Sequence, residues 1–395
     1  MAASLLLELL VAYRSQGFYN CDEHFQVLEF MGLKLGTTSP AELPWEFGAE
    51  LRSWLQPALY YPFAKLFFAL GGRDPFGLAW LLRTLSALVS FASLCAFGRC
   101  LRRFLPDGAV RRGTLLALNF FYLVPVLGVR TSSENFSQAF LLFGLAALVE
   151  PGRFGTSLYP PLASGEERDG RERAGVSWLM PSLWLAGACF GLAFLARYQA
   201  AALVAGGALW FLLRGRAPRA FALGAGGGLV LVLLLGVVLD RWGYGHWVYA
   251  PWQYLSTNLL EDKASSFGRL PVWGFVTLFA TKLWPPFGLL WFAVFVLAAW
   301  RLPRHLLTWT VLPFVLMHHL IAHKEPRFLF PTLALSIVLA GLLVESLFEA
   351  RGRGMRFRRT AHALGAALVG LNALGLFLYG LLPTHQRWTV LDELD

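Results

Sequence analysis

The chain has 395 residues, 56% of them hydrophobic and only 15% charged. A soluble chain of this length carries about 25% charge and divides into two or three domains; here no polar block is long enough to fold apart, so one membrane domain, 1–395, is expected. The net charge of +10 does not point to nucleic acid, because the excess arginine sits in short loops between apolar runs and no basic stripe interleaves with aromatics.

A bilayer span needs about 20 mostly apolar residues, since every backbone N–H and C=O must be paired within it. In chain order the expected spans are 1–18, 76–101, 113–129, 136–150, 176–195, 199–213, 220–239, 272–300, 305–322, 328–349 and 360–382. The fold class is therefore all-α, a polytopic membrane protein with about eleven transmembrane helices. The run Ala2–Tyr13 is interrupted by Glu8 and lacks a basic n-region and a cleavage site, so it reads as a first membrane helix rather than a signal peptide. It is short for a span, which leaves room for a start further upstream. The apolar stretch 57–72, broken by Lys65 and paired tyrosines, reads as interfacial. Cys21, Cys95, Cys100 and Cys189 show no CxxC spacing, so neither a zinc site nor a disulfide framework is indicated.

Taking 99–112 as cytoplasmic places 150–175, 214–219, 301–304 and 351–359 on the same side, and these five loops hold 19 arginines, as the positive-inside rule requires. The opposite side then carries 19–75, 130–135, 196–198, 240–271 and 323–327. The two long outer loops, 19–75 and 240–271, are rich in Trp and Tyr, which favour the interface and stack on sugars. The polar, mixed-charge segment 150–175 reads as a flexible loop, and Asn135-Phe136-Ser137 matches a glycosylation acceptor pattern against a helix end.

Ionisable residues gather on that outer side. Asp22, Glu23 and His24, with Glu29, put adjacent carboxylates beside an imidazole, an arrangement for a general base with an orienting neighbour; the same residues also suit the first turn of a helix. His323, Lys324, Glu325 and Arg327 form a compact cluster suited to a phosphate, or to an anchored interfacial turn. Arg130, Glu134, Arg197, Asp240 and Arg241 lie singly at outer helix ends, as snorkelling groups or as the wall of one cavity. No nucleotide-phosphate loop is present. A transporter or lipid-linked sugar flippase is the alternative class, but it predicts midplane charges and internal repeats, and Arg83 and Lys282 are the main mid-span charges. A non-catalytic membrane subunit predicts no such one-sided cluster.

Asp22-Glu23-His24-Phe25-Gln26 with Glu29 resembles the DE-x-FQ-x-x-E element of the family 22 glycosyltransferases, which include mannosyltransferases of GPI-anchor and lipid-linked oligosaccharide assembly. Trp45-Glu46-Phe47 with Leu51-Arg52-Ser53, Arg130–Glu134, Asp240–Gly245 with Asn258, and His323–Phe328 resemble further elements of that family in the same order, from about 19 to 331. The chain departs from it in having Asn20-Cys21 where His-Pro usually precedes Asp-Glu.

The resemblance implies a GT-C fold and a mannosyltransferase that moves a sugar from a polyprenyl- or dolichyl-phosphate-mannose donor to a glycan or glycolipid hydroxyl with inversion. Asp22 is the implied base, with Glu23 supporting or replacing it, and His323, Lys324 and Arg327 face the donor phosphate. His24, Glu46, Arg52, Arg130, Glu134, Arg197, Tyr244 and Glu325 are expected at the substrate, with no metal and no other cofactor. The site is expected to face the ER lumen of a eukaryote, or the periplasm or exterior of a bacterium.

Overall fold

The computed structural model describes residues 1–15, 17–150, 176–215, 218–351 and 355–382, and among them every regular element is helical. The principal helices are α1 (Ala2–Arg14), α2 (Leu55–Ala69), α3 (Pro75–Phe104), α4 (Gly108–Phe120), α5 (Leu123–Gly128), α6 (Ser133–Val149) and α7 (Val176–Ala196). They continue with α8 (Ala201–Arg214), α9 (Pro218–Tyr244), α10 (Gly274–Lys282), α11 (Phe287–Arg301), α12 (Leu306–Leu320), α13 (Leu333–Arg351) and α14 (Met355–Leu376). Among the described residues four stretches, 75–104, 218–244, 326–348 and 363–381, are long and apolar enough to cross a membrane, and 133–149, 180–196, 287–301 and 306–320 are shorter apolar helices. The protein is a multi-pass membrane protein. The 15 residues of α2 span about 22 Å at 1.5 Å each, less than a hydrocarbon core of about 30 Å; α2 packs beside α3, α7 and α9.

Side-chain caps start several of these helices where the sequence supplies an acceptor. The Asp74 carboxylate accepts from the N–H groups of Phe76 and Gly77 at 3.0 and 2.9 Å, with Pro75 opening the helix. Asp107 does the same for Ala109 and Val110. Ser132 accepts from Asn135 at 3.3 Å. Each satisfies donors that the first helical turn leaves unpaired.

Two expected spans are broken. The stretch 272–300 is not one helix: α10 ends at Lys282, and Pro285 and Pro286, which lack N–H donors, separate it from α11. The stretch 113–129 likewise parts into α4 and α5 at Phe121 and Tyr122. The backbone groups freed at these breaks find one another's side chains. Tyr122 N–H donates to Asn372 Oδ1 at 2.8 Å, Asn372 Nδ2 donates to the Phe120 carbonyl at 2.8 Å, and Trp284 N–H donates to the Tyr122 hydroxyl at 3.1 Å. Breaks at membrane depth are tolerated where protein groups re-satisfy the backbone in this way.

Helices α7 and α9 approach closely through small residues, as membrane helices do. A Cβ built on Gly187 would lie 1.9 Å from the Ala225 carbonyl oxygen, and one on Gly228 would lie 2.1 Å from that of Trp184.

The two ends of the bundle collect different loops. At one end Asp107 N–H donates to Glu345 at 2.7 Å, Arg102 pairs with Glu150 at 3.5 Å, and the Trp210 indole donates to the Arg304 carbonyl. Segments 99–112, 301–304 and the end of α13 therefore meet there. The segments from 17–54, 130–134, 240–274 and 323–327 meet elsewhere, around one cavity. We expect Gly228→Leu to force α7 and α9 apart and cost about 1–3 kcal/mol, read as a lower midpoint of thermal unfolding in detergent than that of the unsubstituted protein.

Candidate active site

The segment after α1 is held by aromatic packing. Trp54 is fully buried against Phe30, Phe47, Trp242 and Tyr244. Its backbone N–H donates to Asp240 Oδ1 at 2.9 Å. Gly243 makes room for the indole, since a Cβ there would stand 2.0 Å from the Trp54 ring. The Tyr244 hydroxyl donates to the Arg52 carbonyl at 2.8 Å and accepts from the Arg52 N–H at 3.2 Å. Asp240, Gly243 and Tyr244 thus clamp the segment 44–54 onto the end of α9 and present Glu46 and Arg52 to the cavity.

That cavity measures about 830 Å³ and is lined by Asp22, Glu46, Arg52, Arg197, His318, His323, Glu325 and Arg327 among others. A smaller recess of about 50 Å³ adjoins it, sharing Asn20, Asp22, Arg52 and Arg327 and adding Glu23, Arg130 and Glu134. The two most distant motifs meet here: Arg327 Nη1 donates to Asp22 Oδ2 at 2.5 Å, across 305 residues of chain. Arg327 also donates from Nε to Glu325 Oε2 at 2.7 Å and from Nη2 to Glu325 Oε1 at 3.2 Å. His323 Nε2 lies 3.0 Å from the same Glu325 oxygen. Behind them Arg197 Nη1 donates to Glu134 Oε1 at 2.7 Å, and Arg327 Nη1 lies 3.8 Å from that oxygen. Arg52 donates to Glu46 at 2.5 Å, and Glu46 also accepts from Gln26.

These pairs set the protonation states. Burial alone pushes the Asp22 carboxyl up, but the charges of Arg327 and then Arg52 outweigh it and hold its pKa below the ordinary value. Asp22 is therefore an ionised, half-buried carboxylate on the cavity wall. Glu23 differs: burial raises its pKa, and Arg130 with the N–H groups of Tyr19 and Asn20 offsets this only in part. Glu23 Oε1 accepts from those two N–H groups at 3.0 and 3.4 Å, so this residue, 2% exposed, ties down the turn that carries Asp22.

Ten of the thirteen residues expected from the sequence line the cavity or the adjoining recess, namely Asp22, Glu23, Glu46, Arg52, Arg130, Glu134, Arg197, His323, Glu325 and Arg327, and three do not. His24 pairs with Glu29 at 2.7 Å away from both. Tyr244 spends its hydroxyl on the Arg52 backbone. Lys324, 4% exposed, donates to the carbonyls of Leu270 and Ile321 at 3.2 and 2.5 Å, and burial lowers its pKa; it anchors the loop before α10. The expected site leaves out Tyr19, Asn20 and Gln26, which line the recess and whose neighbourhood to Asp22 is the available signal, and His318, which lines the large cavity. Among the described residues no group of three His, Cys, Asp or Glu is placed to hold a metal ion.

The chain matches the model of the Alg9-like mannosyltransferase family over residues 2–388. It is similar to GPI alpha-1,2-mannosyltransferase 3 of Mus musculus, at 25% identity over 98% of this chain and 64% of that protein. It is also similar to the protein of the same name in Bos taurus, at 27% identity over 40% of this chain and 27% of that protein. The chain spans less than two thirds of the length of these curated relatives. Among solved structures it is similar to ArnT from Cupriavidus metallidurans in the apo state and bound to undecaprenyl phosphate, each with a TM-score of 0.53, at 17% and 16% identity. Those matches cover 93% of this chain and 62% of ArnT; at such identity the likeness shows the fold alone, which is the expected GT-C fold.

Two outcomes follow. Lys324→Met removes a charged donor from two carbonyls, costing about 1.5–3 kcal/mol, and the thermal midpoint in detergent falls accordingly. Arg327→Gln strips Asp22 of its main counter-charge, so the Asp22 pKa rises; with Asp22 as the base, the acid limb of the kcat/KM–pH profile moves to higher pH.

Proposed function

Because the chain belongs to the Alg9-like mannosyltransferase family, we propose that it transfers mannose from a polyprenyl- or dolichyl-phosphate donor to a hydroxyl of a glycan or glycolipid, with inversion. The observation that carries this reading is the Asp22–Arg327 pair on the wall of the large cavity. It supplies an ionised carboxylate beside a wall of guanidinium and imidazole groups, which is what a phosphosugar donor and an attacking hydroxyl need together.

In this scheme the donor's lipid tail lies along the apolar lining, which includes Phe194, Leu255, Leu259, Met317 and Ile321. A lipid phosphate of this kind, undecaprenyl phosphate, is bound by ArnT, which supports the choice of donor class. The acceptor hydroxyl gives its proton to Asp22 as its oxygen bonds to the anomeric carbon. The bond from that carbon to the phosphate oxygen breaks, and the phosphate leaves with the electron pair. Attack on the face opposite the leaving group inverts the centre. Cationic groups preorganised at the leaving phosphate stabilise the charge it gains. Glu23 supports the turn that aims Asp22. The leaving group carries one phosphate that side-chain cations can serve, so the scheme calls for no metal and no other cofactor.

Trp45, Tyr249 and Trp252 line the same cavity and are exposed; their faces suit the acceptor sugar. The relatives' name, GPI alpha-1,2-mannosyltransferase 3, favours mannose among hexoses and a glycolipid acceptor. With the arginine-rich loops cytoplasmic, the cavity opens on the other side, toward the ER lumen or, in a bacterium, the periplasm or exterior.

The test is transfer by the purified protein from a polyprenyl-phospho-mannose donor to a mannose-terminated glycolipid. Asp22→Asn is expected to lower kcat about 10²–10⁴-fold, and the product's anomeric configuration to be inverted. Near-normal turnover by that variant overturns the base assignment, and retained configuration overturns the single displacement.

A further inference from the structure

Most of the cationic groups around the cavity have their donors committed. All three guanidinium nitrogens of Arg327 bond to Asp22 or Glu325, and the Lys324 ammonium is spent on two carbonyls. Arg52 and Arg130 are each left with Nε as a buried nitrogen lacking a partner. Arg197 differs from these. Its Nη1 is fixed by Glu134 and Ser133, yet both Nε and Nη2 are buried without a partner in a residue only 6% exposed.

His318, 1% exposed, stands nearby on the same cavity wall. Its Nδ1 lies 2.8 Å from the Phe314 carbonyl, which can only accept, so Nδ1 carries the proton. In the neutral ring Nε2 is then an acceptor, and it too is buried without a partner. One aromatic ring joins the two residues: the Arg197 guanidinium carbon lies 5.2 Å from the centroid of Phe328, and the His318 ring lies 6.2 Å from it. Phe328 itself lines the cavity. Buried polar atoms are almost always paired, so two unpaired donors and one unpaired acceptor, held just beneath the surface by two residues that line a cavity of about 830 Å³, mark a place where a ligand supplies the partners.

We propose that Arg197 and His318, rather than Lys324, read the phosphosugar head of the donor: Arg197 Nε and Nη2 donate to phosphate oxygens, and His318 Nε2 accepts from a sugar hydroxyl. The two functions match the two chemistries. A planar guanidinium presents parallel N–H donors that suit a phosphate, whereas a neutral imidazole nitrogen offers a phosphate nothing and a hydroxyl an acceptor. Phe328 packs on both groups and lines the cavity that the head enters. The inference rests on the lipid-phosphate-sugar reading above and deepens it.

The test measures binding of farnesyl phosphate, farnesyl-phospho-mannose and farnesol to the full-length protein in detergent, for the unsubstituted chain and for Arg197→Lys, His318→Leu and Lys324→Met. Arg197→Lys keeps a cation against Glu134 but loses the planar fork. It is expected to weaken both phosphate ligands about tenfold and leave farnesol unchanged. His318→Leu is expected to weaken farnesyl-phospho-mannose about tenfold and farnesyl phosphate by less than twofold, a split that misfolding does not produce. Affinities of the Arg197 and His318 variants for both phosphate ligands that match those of the unsubstituted chain overturn the proposal, as does a loss confined to Lys324→Met. Transfer activity of the unsubstituted protein is measured alongside: if it transfers no mannose, the function assigned above fails, whereas active protein with unaffected variants refutes only this subsite.

Discussion

The site depends on one ion pair. Arg327 sits where the 3₁₀ segment Pro326–Thr332 leads into α13, and Asp22 sits on the loop after α1, so their 2.5 Å contact closes the chain upon itself across 305 residues. Half-buried charges are tolerated only when paired and hydrogen-bonded, and here the pairing is multiple. Arg327 serves Asp22 and Glu325 at once and stands near Glu134, which is neutralised by Arg197. Removing one member strands the others, so the network fixes the relative positions of four chain segments more firmly than any single contact among them.

The same network reconciles two demands on Asp22. Burial in this recess pushes a carboxyl pKa up, toward the protonated form, which accepts no proton from a hydroxyl. The neighbouring guanidinium groups keep it ionised. Glu23, one residue on, accepts from two backbone N–H groups and, at 3.5 Å, from the Thr131 hydroxyl; with Arg130 these offset its burial only in part, and its pKa moves the other way. Adjacent carboxylates with opposed environments take different roles: one lines the large cavity, the other holds the turn.

Much of this was legible in the sequence because membrane insertion makes charge expensive. Helix positions followed from hydropathy, and the clustering of ionisable residues on one side followed from loop charge. That Asp22 and the 323–327 cluster share one cavity could be anticipated only through the motifs' family resemblance, since nothing local links them. What could not be read was how each charge is spent. Lys324 and Arg327 look alike as cations in a short motif, but one donates to the carbonyls of Ile321 and Leu270 and the other to the carboxylates of Asp22 and Glu325. Tyr244 lies in a motif that suggests contact with substrate, yet its hydroxyl braces the Arg52 backbone. The broken spans were missed for a related reason: Pro285 and Pro286 were visible, but the side chains that rescue the freed backbone, Tyr122 and Asn372, lie far off in sequence.

The central claim is that the loop after α1 and the segment before α13 form one donor site. A structure of the protein with a bound polyprenyl-phospho-mannose tests it most directly. The account predicts the phosphate against the guanidinium wall of the large cavity, with the Asp22 carboxylate on the side of the anomeric carbon opposite the phosphate. A donor seated outside that cavity, or Asp22 and Arg327 parted with neither near the ligand, would contradict it.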